Sequence, residues 1–260
     1  MGVLSSFDRE AVSTLRSAGV LEEVDAHAID MTNGVIVVRC PDCDQRSDAE
    51  RHDQVLATAN GGRDRFHLLP HHGGAAVAAP GSPLYPEFDL PGYLGLQIRE
   101  AEGLKSIKTV LLEVHAPCGK GEASGFNIVQ LITLMFLGKP NIRAIDPTNE
   151  IVCRVHIDYG DRKRTYFVSR AKWMAFWNQR GRELWGHLFE VDPYPPTSLR
   201  VATVRRSGDR ASVEEEDLHG PTPIPMDEAS EGAMAVLAAS RRGPSDTQLA
   251  LEASRGPRTD

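Results

Sequence analysis

The chain has 260 residues, enough for one substantial core or two small ones. Hydrophobic residues make up 41% and charged residues 25%, an ordinary globular balance, with a formal net charge of −7. That charge excludes general nucleic-acid binding, which needs a basic face. No apolar run reaches the length of a membrane span, Ile128 to Leu137 being the richest and too short, so no membrane partner is expected.

Ser6 to Ser17 reads as a helix, with Ser6 as N-cap, Asp8 in the first turn and Gly19 as the stop. Gly34 to Arg39 is a buried strand, and Ala49 to Ala59 a polar helix ending at Gly61-Gly62. Arg65 to Leu69 is a short strand, followed by a Gly/Pro-rich connection from Pro70 to about Pro91. Gly92 to Leu104 is amphipathic, Ile107 to Val114 a strand, and Gly125 to Leu137 a buried helix. Ile151 to Tyr159 alternates like a strand and turns at Gly160-Asp161 into Thr165 to Val168. Ser169 to Phe189 reads as one long final helix carrying Trp173, Trp177 and Trp185 at packing positions.

Strands alternating with helices predict an α/β fold: a mainly parallel central sheet flanked by helices, with one antiparallel edge strand. No Phe, Tyr or Trp follows Tyr194, and Glu214 to Asp217 is an acidic run followed by Pro221, Pro223 and Pro225. Such a segment cannot bury enough apolar surface to offset the entropy of ordering it. The expected division is a domain over 1–196 and a low-complexity, mostly disordered tail over 197–260, with a short helix at most near 232–242.

The first residues lack the basic start and long apolar stretch of a secretory signal, and the expected location is the cytoplasm. Met1-Gly2-Val3-Leu4-Ser5-Ser6 fits the loose myristoylation pattern, read as a chance match. Four cysteines in this length do not make a disulfide framework, and in a reducing cytosol spaced thiols read as metal-binding or catalytic.

The chemistry sits in two stretches. Cys40-Pro41-Asp42-Cys43 follows the apolar run Val35 to Val38, and His115-Ala116-Pro117-Cys118-Gly119 follows Val110 to Val114. Thiolates and an imidazole at neighbouring strand ends are what zinc takes in tetrahedral sets. In the simplest case Cys40, His115 and Cys118 bind Zn2+ and leave the fourth position to water, whose pKa the ion lowers to near 7. Asp42 is placed either to accept a hydrogen bond from the resulting hydroxide or to fill the fourth position itself. A second reading adds Cys43 as the fourth ligand, which closes a structural Cys₃His site. A third takes Cys40 and Cys43 as a redox pair, leaving His115 and Cys118 unexplained. Cys153, inside an alternating strand, reads as a small buried hydrophobe.

These motifs resemble those of the β-class carbonic anhydrases, which carry Cys-x-Asp-x-Arg after the first strand and His-x-x-Cys-Gly after a later one. Cys40, Asp42, His115, Cys118 and Gly119 fall on those positions, and the likeness covers roughly residues 30 to 170. His71-His72-Gly73-Gly74 looks like the family's glycine-containing loop after a second strand. The resemblance implies reversible hydration of carbon dioxide to bicarbonate, and a homodimer or higher even oligomer. One position departs: the family's arginine, which pairs with the aspartate and keeps it off the metal, is replaced by Asp44. Arg46 and Arg39 are the candidates to take its place.

Three further positions carry expectations. His71 and His72 are candidate proton shuttles, since imidazole titrates near neutrality, although a solvated loop is the plainer reading. Gly119 opens a turn whose N–H groups could hold an anion such as bicarbonate. The competing functional class is a non-catalytic zinc domain on the same fold, structural or anion-binding.

Overall fold

The structure is a computed structural model, and it describes residues 3–25, 27, 29–60, 65–189 and 193–194. The expected tail and its 232–242 helix lie outside the described residues. Six strands form one sheet: β1 (Leu21–Glu23), β2 (Val35–Arg39), β3 (Phe66–Pro70), β4 (Thr109–Ala116), β5 (Glu150–Asp158) and β6 (Lys163–Val168), in the order β1-β6-β5-β4-β2-β3. β3, β2, β4 and β5 are parallel, and β6 runs antiparallel to β5 across the expected turn at Gly160. β1 pairs antiparallel with β6 and takes the edge. The α/β class and mainly parallel sheet are therefore as expected, with β1 added outside the hairpin.

β2 and β4 are buried along their whole length because both faces of the sheet are covered. On one face Ile36, Val38, Val110, Leu112 and Val114 join the main core with α3 (Leu90–Lys105) and α5 (Ile128–Ile145). On the other, Val35, Val37 and Leu111 pack with Leu56 and Ala57 of α2 (Cys43–Ala59). α5 has the length and composition of a membrane span, yet 67% of that stretch is buried inside the protein. It runs eight residues past the expected end at Leu137. Gly138 permits this: a Cβ there would collide with Ala78, so the helix lies directly on the buried turn Gly74–Ala78.

Three boundaries differ for local reasons. α1 (Ser6–Ser17) is capped by Ser5 rather than Ser6, the Ser5 hydroxyl accepting the Asp8 N–H at 3.0 Å. α2 begins six residues before the expected Ala49, because the Asp42 carboxylate accepts the Asp44 N–H at 2.9 Å and starts the helix there. The expected long final helix is broken into α6 (Arg170–Phe176), a π turn over Trp177–Gly181, and α7 (Arg182–Trp185). The wider turn lets Trp173 stack on both Trp177 and Trp185, at ring separations of 6.1 and 6.4 Å, so the tryptophans pack as expected.

Strand order reverses direction between β2 and β4: the chain leaves β2 for β3 on one side and β4 on the other. In open α/β sheets the crevice beyond the carboxyl ends of two such strands is where ligands bind. Gly74 sits in that crevice with φ +59°, and a side chain there would strike the Glu113 carbonyl oxygen.

Candidate metal centre

Cys40 is the first residue beyond β2, His115 is the penultimate residue of β4, and Cys118 lies two residues beyond β4. The β2–β4 pairing sets Val38 opposite Leu112, so both strands deliver their ends to one crevice. Two thiol sulfurs and an imidazole nitrogen come within 4.8 Å of one another, a group that can hold a metal ion.

The surroundings suit that use. His115 is 4% exposed, and neither ring nitrogen has a hydrogen-bond partner. A buried imidazole left in this way forfeits about 1–3 kcal/mol per unsatisfied group, which a metal–nitrogen bond at one nitrogen would relieve. The sulfurs are already supported: the Gly73 N–H points at Cys40, and the Gly121 and Lys120 N–H groups at Cys118. The Cys118 thiol hydrogen-bonds to Cys40 and, with His115 alongside, draws the Cys40 pKa down to about 3 against the opposing effect of burial. Cys118 moves the other way, because it keeps the shared proton and is buried. A lowered thiol pKa favours the thiolate, the form in which a cysteine binds a metal.

Cys43 is exposed at the first residue of α2 and is not part of the group, so the closed Cys₃His set is not assembled among the described residues. Cys153 is buried inside β5, where desolvation raises its pKa; this is the structural cysteine the alternation predicts.

Asp42 shares a narrow cavity with Cys40, His115, Gln45 and Arg46. Neither candidate arginine pairs with it. The Arg46 Nε bonds Glu50 at 2.7 Å on the helix surface, and Arg39 is buried against Asp53 and Glu113. His71 is half-buried, its backbone N–H bonded to the Arg39 carbonyl at 2.9 Å, and burial lowers its pKa; His72 is exposed. Neither belongs to the metal-ligand group. Gly119 opens α4 (Gly119–Ala123) and lines a second cavity of about 210 Å³ together with Asp42, Asp44, Gln45, Pro117, Glu122 and Asp158. The setting of Gly119 is therefore acidic.

A layer of buried charge beneath the crevice escaped sequence reasoning. Arg39, Glu113 and Arg154 extend from β2, β4 and β5 on the α2 side of the sheet, and Asp53 of α2 completes the set. Arg154 bonds Asp53 at 2.7 Å and lies 2.8 Å from Glu113, while Arg39 pairs with Asp53. The signal was present as charges at Glu113 and Arg154 between the apolar residues of their strands. The two guanidiniums hold the Glu113 pKa down against complete burial. Next to His115 on the sheet is His156, whose pKa burial pushes down to about 4 and whose Nδ1 bonds the Thr165 hydroxyl at 2.8 Å.

No family model matches the chain, and comparison with curated proteins and with solved structures likewise finds no match. The functional reading therefore rests on this site alone. Two sulfurs and one nitrogen make three of the four donors that a tetrahedral ion takes.

Proposed function

We propose that this chain is a zinc-dependent, carbonic anhydrase-like protein that hydrates carbon dioxide reversibly to bicarbonate. One observation carries the reading: two thiol sulfurs and a buried, unpartnered imidazole gather within 4.8 Å at the reversal point of the sheet, with Cys43 outside the group. Cys40, His115 and Cys118 would hold the ion, and sulfur with imidazole nitrogen is a donor set that suits zinc. When bound, zinc supplies a Lewis acid that brings the pKa of a water near 7.

The chain's own groups do the rest. Asp42, in the cavity shared with Cys40 and His115, accepts a hydrogen bond from the attacking oxygen and turns its lone pair toward the substrate carbon. The Asp44 N–H holds one carboxylate oxygen of Asp42 and leaves the other for this task.

A second reading has its own support. No arginine pairs with Asp42 among the described residues, so its carboxylate is free to become a fourth ligand and silence the centre. Stopped-flow hydration of carbon dioxide by zinc-loaded protein, from roughly pH 7 to 9, separates the two. Turnover above buffer throughout supports the enzyme. Turnover no better than buffer refutes it, and activity appearing only at the basic end identifies Asp42 as a ligand that hydroxide displaces.

A further inference from the structure

Two sulfurs placed to share a metal ion can also be oxidised to each other. Cys40 and Cys118 bring theirs within 4.8 Å of one another and of a His115 ring nitrogen, and the Cys118 thiol hydrogen-bonds to Cys40. Cys40 stands just beyond β2 and Cys118 just before α4, both in irregular segments outside the paired strands. Side-chain rotation and small loop shifts can therefore close the remaining gap without moving the sheet.

The pair is asymmetric. Cys40 is half-buried at the wall of the narrow cavity that Asp42 shares, whereas Cys118 is 3% exposed and belongs to the main core. A small oxidant meets Cys40 first. An accessible thiol with a sheltered second thiol in reach is the arrangement of a redox-sensing cysteine and its resolving partner. The other two cysteines stand apart from it: Cys43 is exposed on α2, and Cys153 is buried inside β5.

We propose that Cys40 and Cys118 are a redox switch on the metal centre: a hydroperoxide oxidises the two thiols to a disulfide, and disulfide and bound metal exclude each other. The Cys40 sulfur attacks one oxygen of hydrogen peroxide. The O–O bond breaks, leaving a sulfenic acid on Cys40 and a hydroxide. The Cys118 sulfur then attacks the Cys40 sulfur, so that the S–S bond forms and the S–O bond breaks with loss of a second hydroxide. The two thiol protons convert both hydroxides to water. Two electrons pass from the sulfur pair to the peroxide, and the products are one disulfide and two waters. A dithiol reverses the change by exchange.

The thiolate is the form of cysteine that binds a metal, and a disulfide has none. Oxidation leaves His115 as the one remaining donor of the group of three. A bound ion in turn engages both sulfurs and slows their attack on peroxide. The switch rests on the reading of Cys40, His115 and Cys118 as metal ligands, but not on carbon dioxide as substrate, and it is read by mass rather than by turnover.

Metal-free and zinc-loaded full chain are treated with equimolar hydrogen peroxide, and the non-reduced tryptic peptides are mapped by mass spectrometry. In the metal-free protein the peptide from Cys40 to Arg46 should become joined to the one that carries Cys118. The joined form should take up no zinc, and dithiothreitol should restore uptake. Because Cys43 lies in the same peptide as Cys40, Cys43→Ser is run beside it and should give the same link. Cys118→Ser should stop at the Cys40 sulfenic acid, which dimedone traps. Zinc should slow linkage at least about tenfold. No link, a loop between Cys40 and Cys43, or loss of the link in Cys43→Ser overturns the proposal. So does linkage as fast with zinc as without, or zinc uptake by the joined form. Linkage without carbon dioxide turnover would sink the proposed reaction and leave the switch standing; turnover in a protein that never links does the reverse.

Discussion

Replacing Asp53 with asparagine tests whether the buried charge layer supports the metal centre. Asp53 is the common partner of Arg39 and Arg154, whose side chains are 4% and 0% exposed. With Glu113 the group holds two guanidiniums and two carboxylates and is formally neutral. Asp53→Asn keeps the shape and leaves one positive charge uncompensated in the interior. Breaking a buried pair in this way costs about 3–5 kcal/mol, a large part of the roughly 5–15 kcal/mol that holds a typical domain folded. Urea unfolding of the metal-free protein reads the loss directly. The double variant Asp53→Asn/Arg154→Met removes one charge of each sign and should regain at least half of it.

The same substitution has a second readout. Arg39 precedes the candidate ligand Cys40, and Glu113 lies two residues before the candidate ligand His115 on the same face of β4. Loosening Arg39 and Glu113 should therefore weaken metal affinity about 10–100-fold, the usual effect of losing an outer support. A chelator competition measures this. A stability loss under about 1 kcal/mol, or unchanged metal affinity, would refute the reasoning and reduce the quartet to ordinary packing.

Two other predictions follow from the site. Cys118→Ser should abolish stoichiometric metal binding measured by plasma mass spectrometry, while Cys43→Ser should leave it intact; loss in both would restore the closed Cys₃His site. Folded His156 has its pKa pushed from 6.5 down to about 4 by burial. As pH falls from 6.5 toward 4, the unfolded chain takes up a proton that the folded protein refuses, so stability falls through that window by on the order of 3 kcal/mol. The difference in unfolding free energy between the protein and His156→Gln should show this slope, and a flat difference would contradict it.

The candidate ligand group was legible because parallel strands covered on both faces leave continuous apolar runs, and Cys40 and His115 stand where two such runs end. The charge layer was not legible, because its pairs join residues far apart in the chain; Asp53 and Arg154 are 101 positions apart. Glu113 and Arg154 announce a burial problem in sequence, but only the fold names the partner. β1 escaped because three residues, two of them glutamates, carry no apolar pattern and are held by backbone pairing to β6. Gly138 and Pro140 were natural stop signals for α5, but Ile142 beyond them is core and continues the helix.

β4 shows why the charge layer and the metal centre belong together. Its α2-facing positions are Leu111, Glu113 and His115: apolar packing, ion pairing and a candidate metal ligand, in order along one face. Val110, Leu112 and Val114 fill the opposite core. Side chains alternate with a period of two, so a one-residue slip of β4 would turn His115 into the apolar core and Val114 toward the sulfurs. Apolar residues on both faces would resist such a slip only weakly, since valine and leucine exchange with little penalty. Glu113 resists it strongly, because its carboxylate would leave two buried arginines. The fully buried ion pairs therefore act as a register lock, and the imidazole they hold in place is the candidate ligand on which the proposed metal site depends.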